Sequence, residues 1–200
     1  MTKIQQIKQF AKDHLDDVRW VHTQQVVKMA LEIARKEGAN LEVVEISAWM
    51  HDTGTWQRKN VTMTHQIYSA KYAREIMEKI DYSQKTIDRV FKCIIEHSGP
   101  ITDRTPGLLK KENATWDDIP RPSSIESKCL YDADMTNLCG PFGLAKMLYF
   151  QASKKKFSEI IQWQKILSAS AYHDLKTKTG KQIGKKYHQT STEMFKLFNL

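Results

Sequence analysis

Cysteine is scarce in this chain. The 200 residues contain three, Cys93, Cys129 and Cys139. They are odd in number and without a Cys-x-x-Cys spacing, which argues against a disulfide framework or a thiolate zinc site and for a reducing, cytoplasmic compartment. Long apolar runs are missing as well. No stretch of about eighteen uncharged apolar residues occurs, and the start, Met1-Thr2-Lys3-Ile4-Gln5-Gln6, has no apolar h-region, so neither a membrane span nor secretion is expected. Sustained period-two alternation, the mark of a half-buried strand, is absent, and so is any internal repeat. The exclusions leave an all-α chain, expected to form one domain over residues 1–200.

Acidic residues are too few to balance the basic ones, and the formal charge is +8. Residues 151–200 hold ten lysines against three acids, whereas residues 1–150 hold 21 basic against 20 acidic residues. The excess is therefore local to the C-terminal quarter. Such a stretch attracts polyanions, but its lysines are not interleaved with aromatics in a reader motif, so nucleic acid is not the expected partner.

Helical periodicity fills most of the chain. Ile4, Ile7, Phe10, Ala11 and Leu15 recur at three- to four-residue intervals behind Thr2, predicting a helix over 3–16. Val18, His22, Val26, Met29 and Ile33 predict a second over about 17–37, stopped by Gly38. Asn40 caps a third that runs through His51 and ends at Gly54. After a polar loop at 55–63, Thr64 is the expected cap of a fourth helix with His65 in its first turn. Ser83 opens a fifth, on which Val90, Ile94 and His97 share a face. From Ser98 to Pro122, prolines and glycines break the pattern, and a loop of that length inside a domain is expected to cover a substrate. Ser123 and Glu126 read as a capping box for a helix with Leu130, Asp134 and Leu138 on one stripe. Pro141 starts the next helix and Ser158 caps another. Residues 177–184 read as a break before a last helix carrying Met194, Phe195 and Phe198.

Four histidines and several aspartates fall on inward faces of these helices. A buried carboxylate among apolar side chains costs several kcal/mol unless it is paired, and a divalent cation would satisfy such groups together. The pair His51-Asp52 follows the apolar lead-in Ala48-Trp49-Met50. His22 stands in Arg19-Trp20-Val21-His22-Thr23-Gln24-Gln25-Val26, His97 in Ile94-Ile95-Glu96-His97-Ser98, and Asp134 closes Tyr131-Asp132-Ala133-Asp134. In these strings and their order the chain resembles the HD-domain superfamily of metal-dependent phosphohydrolases. The tail Lys176-Thr177-Lys178-Thr179-Gly180-Lys181 is similar to that of a subgroup of small bacterial HD hydrolases. Two positions depart from the pattern. Asn137 stands near where that subgroup carries an acid, and Thr55-Trp56-Gln57-Arg58 replaces a Glu-Asp pair that many members have.

The resemblance implies an all-α HD-type bundle, with the metal-site core at about 17–140 and C-terminal helices over 141–200. It implies that His22, His51, Asp52 and Asp134 hold a divalent cation, with Asp132 as the fallback for Asp134. His65 and His97 complete a second metal position or bind substrate. Nitrogen and oxygen ligands without thiolate suit Mn, Fe, Co, Ni or Zn, as one ion or two. Asp52 is the expected bridging and catalytic carboxylate. Arg58 and Lys59 are expected to act in catalysis and, with Arg19, to bind phosphate. The expected activity is hydrolysis of a phosphoester or phosphoanhydride bond in a nucleotide or related small phosphate compound by metal-activated water. The alternative is a catalytically idle metal-binding module for a nucleotide or protein partner, and a di-iron oxygenase is a third reading. A homo-oligomer stays open. A second His-Asp pair, His173-Asp174, lies in the lysine-rich region and is expected to play no part.

Overall fold

The computed structural model describes residues 1–57, 65–97 and 120–198. Among them the chain forms nine α-helices and one short 3₁₀ helix, with no strand. The expected loop residues Arg58, Lys59 and Asn60, the cap Thr64 and the segment 98–119 lie outside the described residues.

The first helices start and stop where side chains satisfy the free backbone groups at their ends. Helix α1 (Lys3–His14) opens on a Thr2–Gln5 capping box, α2 (Asp17–Glu37) on the Asp16 carboxylate, and α3 (Leu41–Met50) on Asn40. Gly38 ends α2 in the left-handed region, at φ 71°, where a side chain would be strained. The third helix stops at Met50, short of the expected end. His51 is its C-cap, and a 3₁₀ helix (Thr53–Gln57) follows. Helices α4 (His65–Lys79) and α5 (Gln84–Ile95) pack as a pair, α5 capped by Ser83 as expected.

Helix α6 (Ile125–Cys139) is the centre of the bundle, packed against α2, α3 and α5 and against the C-terminal helices α7 (Pro141–Gln151), α8 (Phe157–His173) and α9 (Lys178–Leu197). Its expected single stripe is not what is seen. It is buried almost all round, while Asp134 and Leu138 are only partly buried. A helix enclosed by partners on every side has no one apolar face. Its cap is also one residue later than expected. Ser124 pairs with Ser127, because Glu126 Oε1 accepts from the Asn40 amide (3.2 Å) and Arg89 Nη2 (2.6 Å) instead. Ser123 gives its backbone N–H to Glu96 Oε2 (2.9 Å) and its hydroxyl to Oε1 (2.8 Å).

Two further expectations change in the C-terminal part. The cap of α8 is Lys156, not Ser158. The break expected over 177–184 is confined to the few residues before α9, which starts after its cap Thr177 and carries Gly180 and Gly184 inside it. The reason is close approach. A Cβ on Gly180 would lie 2.1 Å from Asp132 Oδ2, so only glycine lets α9 settle on α6.

Asp132 organises that junction. Fully buried, it accepts hydrogen bonds from the Lys176 amide (2.7 Å), the Thr177 amide (2.7 Å) and the Thr177 hydroxyl (2.6 Å). Burial raises its carboxyl above the ordinary value, and these donors pull the other way. The main apolar core runs from α1 through α6, and two smaller clusters, around Tyr131 with Leu175 and around Leu144 with Phe195, tie α7, α8 and α9 to it. No helix among the described residues is long and apolar enough to cross a membrane.

Removing the Asp132 carboxylate leaves three buried donors without an acceptor. Asp132→Ala is therefore expected to lower stability by about 2–4 kcal/mol in urea unfolding, with the metal content of the folded protein unchanged. Loss of metal without loss of stability would return Asp132 to the ligand set.

Candidate metal centre

Five helices deliver imidazoles and carboxylates to one buried point. His22 comes from within α2, His51 and Asp52 from the end of α3, His65 from the first residue of α4, His97 from just beyond α5, and Asp134 from α6. Two groups form, His22 with His51 and Asp52, and Asp52 with His65 and His97, each with ligand atoms within 4.8 Å of one another. Asp52 belongs to both. Its Oδ2 faces His22 Nε2 (3.8 Å) and His51 Nε2 (3.9 Å), and its Oδ1 faces His65 Nε2 (3.4 Å). Asp134 joins the first group through His22, with Oδ1 3.1 Å from Nε2.

The ring orientations follow from what each Nδ1 meets. His51 Nδ1 donates to the carbonyl of Ala48 (2.8 Å) and His97 Nδ1 to that of Ile94 (2.5 Å). Each histidine sits just past a helix end and turns back onto the carbonyl three residues earlier. A carbonyl can only accept, so both rings are protonated at Nδ1 and, when neutral, present a bare Nε2. His22 Nδ1 meets Asn137 Oδ1 at 2.7 Å, while Asn137 Nδ2 is committed to Gln25 Oε1 at 2.7 Å. The amide is thereby oriented, and His22 too presents Nε2.

His22 Nε2 and His51 Nε2 lie 3.3 Å apart. With both rings neutral, two lone pairs face each other at that distance and repel, and a cation between them relieves the repulsion. Ligands about 2.1 Å from one cation are themselves roughly 3.0–3.4 Å apart in octahedral or tetrahedral geometry. The donor set therefore fits a divalent cation, and nitrogen and oxygen donors suit a first-row transition ion. No thiol takes part among the described residues, since neither group contains a cysteine.

Electrostatics agree. Burial would raise the Asp52 carboxyl, but His51, Lys146, His65 and His22 hold it well below the ordinary range. Burial likewise opposes ionisation of Asp134, and the hydrogen bond and charge of His22, then His51 and Lys146, bring it below that range. Burial lowers His51 and His97, so both favour the neutral, ligating form.

Gly54 sets the second group. Its amide donates to Ser69 Oγ (2.8 Å), and a Cβ there would lie 2.5 Å from the His65 carbonyl oxygen. The segment after His51-Asp52 can thus press onto the start of α4 and bring His65 to Asp52.

Other expected residues have partners outside the cluster. Arg19 is ion-paired with Asp16 and stacks over Phe150, 4.5 Å from the ring centroid. Asp132 serves the α9 junction. His173 is exposed, and Asp174 accepts from the Tyr131 hydroxyl and from Lys176 Nζ (2.6 Å), so this pair stays apart from the cluster as expected. Two residues beside the site give no signal in the sequence. Phe142 lies parallel to His22, with centroids 6.3 Å apart and planes at 14°, and the charge of Lys146 is among the influences that lower both carboxyls. Asn137 shows in the sequence only as the place of a missing acid.

The sequence model of the HD domain matches residues 19–137, more than half of the chain and the span that holds all six cluster residues. The chain belongs to the HD-domain family. A curated relative, the uncharacterized protein YpgQ of Bacillus subtilis, is 29% identical over 138 residues, which is 68% of this chain and 58% of that protein. The match thus spans less than two thirds of the relative's length. The crystal structure of Bacillus subtilis YpgQ in complex with ADP superposes with a TM-score of 0.72 at 19% identity, over 98% of this chain and 93% of that one. A predicted HD superfamily hydrolase from an uncultured Thermotogales bacterium superposes with a TM-score of 0.64 at 19% identity, over 97% and 90%. At such identities the likeness is one of fold, and the fold is that of HD superfamily hydrolases.

Asn137→Ala removes the acceptor that orients His22 and is expected to weaken Mn²⁺ binding about 10- to 100-fold by calorimetry, with helicity retained by circular dichroism. Unaltered affinity would show that the ring needs no such anchor.

Proposed function

We propose that this protein is a metal-dependent phosphohydrolase that cleaves a phosphoester or phosphoanhydride bond of a nucleotide or related small phosphate compound. The observation that carries the reading is the pair of histidine groups sharing Asp52, with bare Nε2 atoms and ionised carboxylates turned to a common point. His22, His51, Asp52 and Asp134 would hold the principal cation, and His65 and His97, again with Asp52, a second ion or the substrate. A divalent cation bound there supplies Lewis acidity, acidifying water and polarising a phosphoryl oxygen.

The chain's own residues do the rest. The oxygens of Asn137, Ala48 and Ile94 fix the imidazoles by accepting hydrogen bonds from their Nδ1–H groups. Asp134, with 16% of its side chain exposed against 10% for Asp52, is the carboxylate more open to an entering water and can accept a hydrogen bond from it. The ADP held by YpgQ supports a nucleotide as the class of substrate. The idle-module reading rests on the acids missing near Asn137 and after His51-Asp52, and the partnership of Asn137 with His22 gives the first of these positions a positioning role.

The test is turnover. Protein loaded with Mn²⁺ or Co²⁺ and offered nucleoside mono-, di- and triphosphates should release phosphate or pyrophosphate. The release should stop on chelation and fall at least ~100-fold in Asp52→Ala. Metal retained without release across the panel would favour a binding module, and iron-dependent oxygen uptake would favour an oxygenase.

A further inference from the structure

Helix α7 turns back from the end of α6 and lays three residues, each one turn from the next, along the cluster: Phe142, Lys146 and Phe150. Phe142 is parallel to the His22 ring, and Phe150 lies beneath the Arg19 guanidinium. Lys146 stands between them on the same face, one turn from each and partly buried, and its charge is among the influences that lower the Asp52 and Asp134 carboxyls.

Among the described residues Lys146 makes no hydrogen bond or ion pair, although it is partly buried. Arg19, one of three cations expected to bind phosphate, is already paired with Asp16, and the other two, Arg58 and Lys59, lie outside the described residues. A bound phosphate adds charge that a further cation would offset. Asp52 and Asp134 carry two negative charges, which one divalent ion neutralises. A phosphoryl group then brings about two more into surroundings where charges interact more strongly than in water. A lysine suits that task, because its ammonium is a mobile point charge that follows one phosphate oxygen without demanding a fixed plane.

We infer that Lys146, held over the cluster by the Phe142 and Phe150 contacts of its helix, binds a phosphate group of the substrate. This rests on the phosphohydrolase reading and adds to it a binding residue from outside the histidine–aspartate set.

Inorganic pyrophosphate binding to the Mn²⁺-loaded full chain, followed by calorimetry with metal content measured in parallel, tests it. Lys146→Ala is expected to bind pyrophosphate ~10-fold or more weakly with Mn²⁺ content unchanged, and Lys146→Arg to recover most of the affinity. Wild-type affinity in Lys146→Ala would overturn the assignment, as would loss of Mn²⁺ along with it. Wild-type protein that keeps Mn²⁺ but binds no pyrophosphate would overturn both this inference and the hydrolase reading. Binding that is unaffected by the substitution overturns only the lysine.

Discussion

Two imidazole nitrogens face each other across 3.3 Å in the interior, each with its other nitrogen already spent on an acceptor. That arrangement is unfavourable on its own, and the bundle is built to enforce it. Met50 ends α3 so that His51 can turn back on Ala48. Asn137 turns its oxygen to His22 because Gln25 takes its nitrogen. Two ionised carboxylates are held beside the rings despite burial. Each feature costs free energy in isolation, and a shared cation removes the cost from all of them.

The surrounding helices hold that point still. Helix α6 contributes Asp134 toward the cluster and, two residues earlier, Asp132 toward the α9 junction. One helix thus supplies the site with one carboxylate and anchors the C-terminal helices with another. The two aspartates, only two residues apart in the sequence, serve opposite faces, which depends on α6 being enclosed on all sides. Gly54 and Gly180 act alike at two distant places, each removing a side chain where one segment must press against another.

Much of this was legible in the chain. Helix starts with a single good cap, such as Thr2, Asn40 and Ser83, were placed correctly because the cap and the periodicity agree. The His51-Asp52 pair could be told from His173-Asp174 because the second lies among lysines and has no inward aspartate after it. Where two local signals compete, tertiary contacts decide. Adjacent serines at 123 and 124 could both cap α6, and the choice follows from Glu126 being engaged by Asn40 and Arg89. Gly180 and Gly184 read as helix breakers because glycine is a poor helix former, but close packing on Asp132 and Leu175 requires them. Asn137 was visible only as a missing acid, since its role depends on a partner 115 residues away. Lys146 carried no signal, because a lone lysine on a helix gives none.

The most direct measurement is an anomalous difference map from crystals soaked in Zn²⁺, recorded on either side of the zinc absorption edge. The account predicts a peak ~2.0–2.2 Å from His22 Nε2, His51 Nε2 and the Asp52 and Asp134 carboxylates. A map with no peak among these residues, or with its strongest peak at His173 and Asp174, would contradict it.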